Sequence, residues 1–210
     1  MANTEPFDTL TDHYDQWFEE HSKVYDEELK AIKAVMPHFD RGIEIGVGTG
    51  RFAAPLGIET GVEPSAKMAA IARKRGISTI EGIAEDLPID DESYDFVLMV
   101  TTICFVDNAE KALREIYRIL KPGGEVIIGF VDKETPLGRF YLEHQAESRF
   151  YKTARFFSSE EVIALLKKSG FSDCIAVQTL FGNRLKEMKG GIEQGHGTGA
   201  FVAIRCKKDA

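Results

Sequence analysis

The residues best suited to chemistry stand in one short run, Glu44-Ile45-Gly46-Val47-Gly48-Thr49-Gly50, where an apolar, strand-like segment ends. Glycines there let the backbone come close to a ligand and take positive φ. In a doubly wound α/β sheet, ligands bind at the carboxyl ends of strands where the strand order reverses. The spacing narrows the choice of ligand. A dinucleotide fingerprint requires its third glycine at position 51, which is Arg51. The Gly46, Gly48, Gly50 pattern therefore disfavours a nicotinamide-dependent oxidoreductase. A second chemical group, Glu63, closes the run Ile58-Glu59-Thr60-Gly61-Val62. A carboxylate at a strand tip can accept from both hydroxyls of a ribose, each charge-assisted bond contributing about 1.5–3 kcal/mol.

These groups need a sheet to hold them, and the chain after residue 40 alternates strand and helix patterns. Short apolar runs at Ile43–Val47 and Ile58–Val62 are followed by a helical stretch from Ser65 to Arg75 that Gly76 closes. Ile77–Ile80 is β-branched, and Tyr94–Val100 is nearly all apolar, as a strand buried on both faces should be. Asn108–Leu120 reads as a helix with Ala109, Ala112, Leu113, Ile116, Ile119 and Leu120 on one face. Lys121-Pro122-Gly123-Gly124 ends it, and Glu125–Val131 resumes a strand. Such alternation implies right-handed βαβ units and a mostly parallel sheet. After a helix at Ser158–Lys168, the runs Cys174–Leu180 and Phe201–Lys207 have a glycine-rich loop and no crossover helix between them. They must pair antiparallel, giving a seven-stranded sheet of order 3-2-1-4-5-7-6 with an edge hairpin.

Two segments lie outside this alternation. Residues 1–40 form an N-terminal helical cap, with Phe7, Leu10, Tyr14, Trp17 and Phe18 on one stripe and a helix at Asp26–Met36 stopped by Pro37. Residues 136–155 form an insertion carrying Leu137, Phe140, Tyr141, Phe150 and Tyr151, suited to covering a bound acceptor. The 210 residues make one domain, 1–210.

The net charge of −8 argues against a protein that coats nucleic acid. No run approaches the roughly 18 apolar residues of a membrane span. The first ten residues lack a secretory h-region, so a soluble, cytoplasmic protein is expected. Cys104, Cys174 and Cys206 have neither metal-ligand nor redox spacing, and are expected to be buried reduced thiols.

Five motifs in order resemble the class I S-adenosylmethionine (SAM)-dependent methyltransferases. They are Glu44–Gly50, Gly61-Val62-Glu63-Pro64-Ser65, Gly82-Ile83-Ala84-Glu85-Asp86-Leu87-Pro88, Ser93-Tyr94-Asp95-Phe96-Val97 and Leu120-Lys121-Pro122-Gly123-Gly124. The resemblance implies a Rossmann-like domain that binds SAM and methylates an acceptor, here a small molecule. It implies that Glu44, Gly46, Gly48 and Gly50 hold the methionine end and Glu63 the ribose. Met68 would lie on the adenine, and Ala84 and Glu85 at its edge. Thr101 and Thr102 would line the methionine moiety, and Tyr14 would cap the cofactor. Ile83 stands where similar proteins often carry an aspartate for the adenine amino group.

Methyl transfer from a sulfonium is an in-line displacement needing position more than acid–base chemistry, and no metal-ligand cluster is visible. If a general base acts, His144 and His196 are the candidates. A SAM-binding module without catalysis would carry the same motifs.

Overall fold

A computed structural model describes residues 4–209. Its sheet is built from β1 (Gly42–Ile45), β2 (Thr60–Val62), β3 (Ser78–Ile80), β4 (Tyr94–Val100), β5 (Leu120–Val131), β6 (Phe171–Thr179), β7 (Glu193–Gln194) and β8 (Phe201–Lys208). The order is β3-β2-β1-β4-β5-β8-β6-β7. The first five strands run parallel, and β8 lies antiparallel between β5 and β6. The expected switch point at β1/β4 and the antiparallel edge are present. The sheet has eight strands, not seven, because Glu193–Gln194 pairs with Val177 and Gln178 at the edge. Two residues cannot display a period, so the sequence pattern hides that strand. The β5 strand also reaches back to Leu120, absorbing the Lys-Pro-Gly-Gly segment.

Burial explains the patterns. All of β4 but Asp95 is buried, and its side chains alternate between two cores. On one face, Val97 and Met99 meet α5 (Ala109–Ile119) and α7 (Ser159–Lys168). On the other, Phe96, Leu98 and Val100 share a core with α3 (Ser22–Val35), which presents Ala31, Ile32 and Val35. Side-chain caps fix where helices begin. Asn108 accepts from the Lys111 amide, and Ser158 and Glu161 form a reciprocal capping box.

The cap consists of α1 (Glu5–Thr9), α2 (Thr11–Glu20) and α3, and it is tied to the sheet by charge. Asp15 on α2 accepts from Arg51 Nη2 and Arg75 Nη2 at 2.7 Å each, and from Thr49 Oγ1 at 2.8 Å. Those donors hold its carboxyl far below the usual range, against the opposing effect of burial. Asp8 on α1 accepts from Ser65, the N-cap of α4 (Ala66–Lys74). The insertion contains α6 (Pro136–Glu143), and Phe150 beyond it meets Phe7 and Tyr14 at centroid distances of 5.9 and 6.0 Å. Two segments separate in sequence thus close over one space.

The cysteine expectation is overturned. Cys174 and Cys206 form a disulfide with a Cα–Cα distance of 4.1 Å. Antiparallel pairing of β6 with β8, with a register shift between Ser172 and Ile175, brings the two residues face to face. Among the described residues, Cys104 is the one free thiol. Among the described residues, no helix is long and apolar enough to cross a membrane, and no group of three His, Cys, Asp or Glu could hold a metal ion.

Candidate functional site

The turn after β1 places three glycines at positive φ, each under a different constraint. A Cβ on Gly46 would stand 2.5 Å or less from Thr102 Oγ1 and Cγ2, so this glycine permits close packing of β1 on the end of β4. A Cβ on Gly48 would stand 3.6 Å from the Tyr14 hydroxyl and 3.7 Å from Met68 Cε, in ordinary contact with both, and Gly48 borders the cavity. Gly50 instead packs on Ala72 of α4 and does not border the cavity. Its observed contacts are those of helix–strand packing.

Glu63 sits at the tip of β2, 8 % exposed. Its Oε2 accepts from the Gly48 amide at 2.8 Å and its Oε1 from the Ser65 amide at 2.9 Å. Burial raises its pKa, and the two amides oppose the rise. Each carboxylate oxygen keeps a further lone pair for a hydroxyl donor. Glu44 is fully enclosed beneath the glycine turn and does not border the cavity. Its Oε2 has no partner among the described residues, and burial pushes its pKa well up.

A cavity of about 220 Å³ opens along the carboxyl ends of the parallel strands. Gly46, Gly48, Glu63 and Met68 line one side, with Gly82, Ile83, Ala84 and Glu85 beside them. Thr101 and Thr102 border it past the end of β4. Thr101 holds φ 50°, a left-handed conformation unusual for a branched residue. The Glu85 carboxylate also accepts from the Asn108 amide at 3.1 Å, so it anchors α5 as well. A glycine-lined turn, a strand-tip carboxylate and an apolar slot at Met68 and Ile83 suit the methionine, ribose and adenine parts of SAM. The unpartnered Glu44 oxygen beneath the turn suits a cationic amino group.

The cavity continues under the cap and the insertion. Tyr14 and Trp17 of α2, Leu137 and Tyr141 of α6, and Phe150 and Tyr151 wall it. Burial pushes the Tyr141 hydroxyl up to about 12, with the Glu28 charge adding to the rise. Tyr151 and Tyr14 are raised further, again mainly by burial.

Neither histidine candidate is here. His144 is exposed at the end of α6, where its Nδ1 meets the Phe140 carbonyl at 2.9 Å and its ring lies on Phe140. His196 is exposed in the loop before β8. Neither borders the cavity, so the fold does not bring either candidate to this site. Phe140 is 48 % exposed and also points elsewhere.

Sequence reasoning missed Glu28. It occupies the apolar stripe of α3 between Val24 and Ile32, 5 % exposed, and borders the cavity. Burial pushes its pKa up to about 8. The available signal was a glutamate four residues from an apolar neighbour on either side, where periodicity demands a core residue.

Residues 43–128 match the family model of the methyltransferase domain. A Methanocaldococcus jannaschii protein without an assigned activity is 46% identical over 96% of this chain and 98% of its own length. A crystal structure from Thermotoga maritima, described as a SAM-dependent methyltransferase and possible histamine N-methyltransferase, is 52% identical. It superposes with a TM-score of 0.95 over 98% of this chain and all of the other. A Haemonchus contortus phosphoethanolamine N-methyltransferase 2 in complex with SAM shares the fold at 20% identity and TM-score 0.63, over 88% of this chain and 53% of that one. Motifs, sheet order and full-length similarity therefore agree that this chain belongs to the SAM-dependent methyltransferases of the class I, Rossmann-like fold.

Proposed function

We propose that the protein methylates a small, largely apolar acceptor enclosed under its N-terminal cap and its 136–155 insertion, within a single domain spanning 1–210. The observation that carries this reading is one continuous cavity joining the glycine turn to an aromatic chamber. SAM supplies an activated methyl group when bound. The chain's own residues then have three tasks: binding the donor, orienting the acceptor and excluding water.

In this reading, the Gly46 and Gly48 backbone receives the methionine end, and its cationic amino group would draw the buried Glu44 carboxyl beneath the turn toward the ionised form. Glu63 accepts the ribose hydroxyls while keeping its bonds to Gly48 and Ser65. Met68 and Ile83 enclose the adenine, with Ala84 and Glu85 at its edge. Ile83 can offer only contact, so discrimination for the adenine amino group falls to backbone. Thr101, Thr102 and Tyr14 border the methyl-bearing end. No lysine or arginine among the described residues lines the cavity, which supports a small-molecule acceptor over nucleic acid. The description of the Thermotoga maritima protein makes an amine one acceptor class to test.

The test is calorimetry with SAM, followed by incubation with SAM and a metabolite pool. The expected outcome is SAM binding, formation of S-adenosylhomocysteine and one metabolite heavier by a single methyl group. SAM binding with no turnover across broad pools would favour a binding module.

A further inference from the structure

Two adjacent glutamates on α3 have opposite fates. Glu27 faces outward and is paired, accepting from Lys30 Nζ at 2.6 Å and the Gly191 amide at 2.8 Å. Glu28 turns inward to the cavity and has no hydrogen bond or ion pair among the described residues. A buried carboxyl without a partner is costly, and an apolar residue of similar size would avoid the cost. The side chain therefore suits a polar group on a ligand held in this cavity.

The surroundings define that ligand. Val24 and Leu137 line the same cavity, and Tyr14, Trp17, Tyr141 and Tyr151 supply aromatic faces. Besides Glu28 and these tyrosines, the ionisable lining residues are His13, Glu63 and Glu85, with no lysine or arginine among the described residues. An anionic acceptor would meet the carboxyls of Glu28, Glu63 and Glu85 and no lysine or arginine among the described residues. A cation would meet Glu28 and aromatic faces that attract it.

We propose that Glu28 is the group that reads the acceptor, and that the acceptor is a small primary or secondary amine entering as its ammonium ion. This rests on the reading that one cavity holds donor and acceptor. The ammonium N–H gives its proton to the Glu28 carboxylate, which frees the nitrogen lone pair. That pair bonds the methyl carbon while the carbon–sulfur pair stays on sulfur. The products are S-adenosylhomocysteine and the methylated ammonium ion, and the proton on Glu28 leaves to solvent. Burial brings Glu28 closer to the aliphatic ammonium value of about 10.4, so the transfer is less uphill than to an ordinary carboxylate.

The test is calorimetry on protein loaded with S-adenosylhomocysteine at pH 7, in two buffers of different ionisation enthalpy. The probes are 2-phenylethylamine and 2-(imidazol-4-yl)ethylamine, with 2-phenylethanol and 3-phenylpropionate as neutral and anionic counterparts. Both amines should bind about 10-fold or more tightly than the counterparts and release a proton, as the ammonium ionises Glu28. Glu28→Gln should weaken the amines about 10-fold and abolish proton release, while S-adenosylhomocysteine affinity stays unchanged. Glu28→Asp, which keeps the charge, should restore proton release. Amines binding no better than the alcohol would overturn the proposal whether or not a variant folds, as would a Glu28→Gln protein with wild-type amine binding. Failure of the wild type to bind S-adenosylhomocysteine would instead sink the shared-cavity reading.

Discussion

The Gly48 amide donates to Glu63 Oε2 at 2.8 Å, joining the turn after β1 to the tip of β2 across the parallel pair. The bond sets the separation between two elements that the proposed ligand must span. Glu63 is thus a structural acceptor as well as the proposed ribose ligand.

Glu63→Ala should weaken SAM binding by about 10-fold or more, since charge-assisted bonds to both ribose hydroxyls are lost. It should also cost stability, about 1–3 kcal/mol, because the Gly48 and Ser65 amides lose their acceptor. Calorimetry and denaturant unfolding read the two effects separately. A normal SAM dissociation constant would remove Glu63 from the site.

Tyr141 and Phe140 are adjacent, and only Tyr141 borders the cavity. Tyr141→Ala should cut acceptor turnover with SAM affinity near wild type. Phe140→Ala should change neither, being half exposed on the far side of α6. Equal losses in both variants would show that α6 matters for its fold and not for the face it turns inward.

Stability should depend on pH through Glu28. Its raised pKa means that the folded chain keeps a proton which the unfolded chain gives up between about pH 4.3 and 8. Stability is thus full at low pH and falls as pH rises through that window, by at most about 1.4 kcal/mol per unit. Glu44 and Glu63 are raised by burial too and add to the fall. Melting temperatures of the ligand-free protein should decline from pH 5 to 8, and Glu28→Gln should flatten the decline. Parallel curves for the two proteins would contradict burial of an unpaired carboxyl.

The Cys174–Cys206 disulfide closes a loop with a sequence separation of 32 residues. Reduction should therefore lower stability, typically by about 2–4 kcal/mol. Thiol titration of the unfolded, unreduced chain should find Cys104 alone, and reduction should expose all three cysteines. Three reactive thiols without reductant would mean that the pair is open.

The alternation of short apolar runs with amphipathic helices was enough to place the doubly wound sheet, because period and burial are local properties. The glycine turn and the strand-tip position of Glu63 were legible for a related reason: each follows from a local strand–turn pattern, and parallel pairing of β1 with β2 then brings them together. Other features depended on what folding brings together. The Cys174–Cys206 pair follows from the register of β6 on β8, including its irregularity, and no spacing rule encodes that. His144 and His196 have suitable chemistry in suitable segments, yet each faces solvent, because helix rotation and loop path decide where a side chain points. Glu28 shows the reverse. In the sequence it is one more acid on a charged helix beside Glu27. Only packing of α3 against the sheet, with α2 and α6 closed over it, removes the water and leaves the carboxyl facing the cavity.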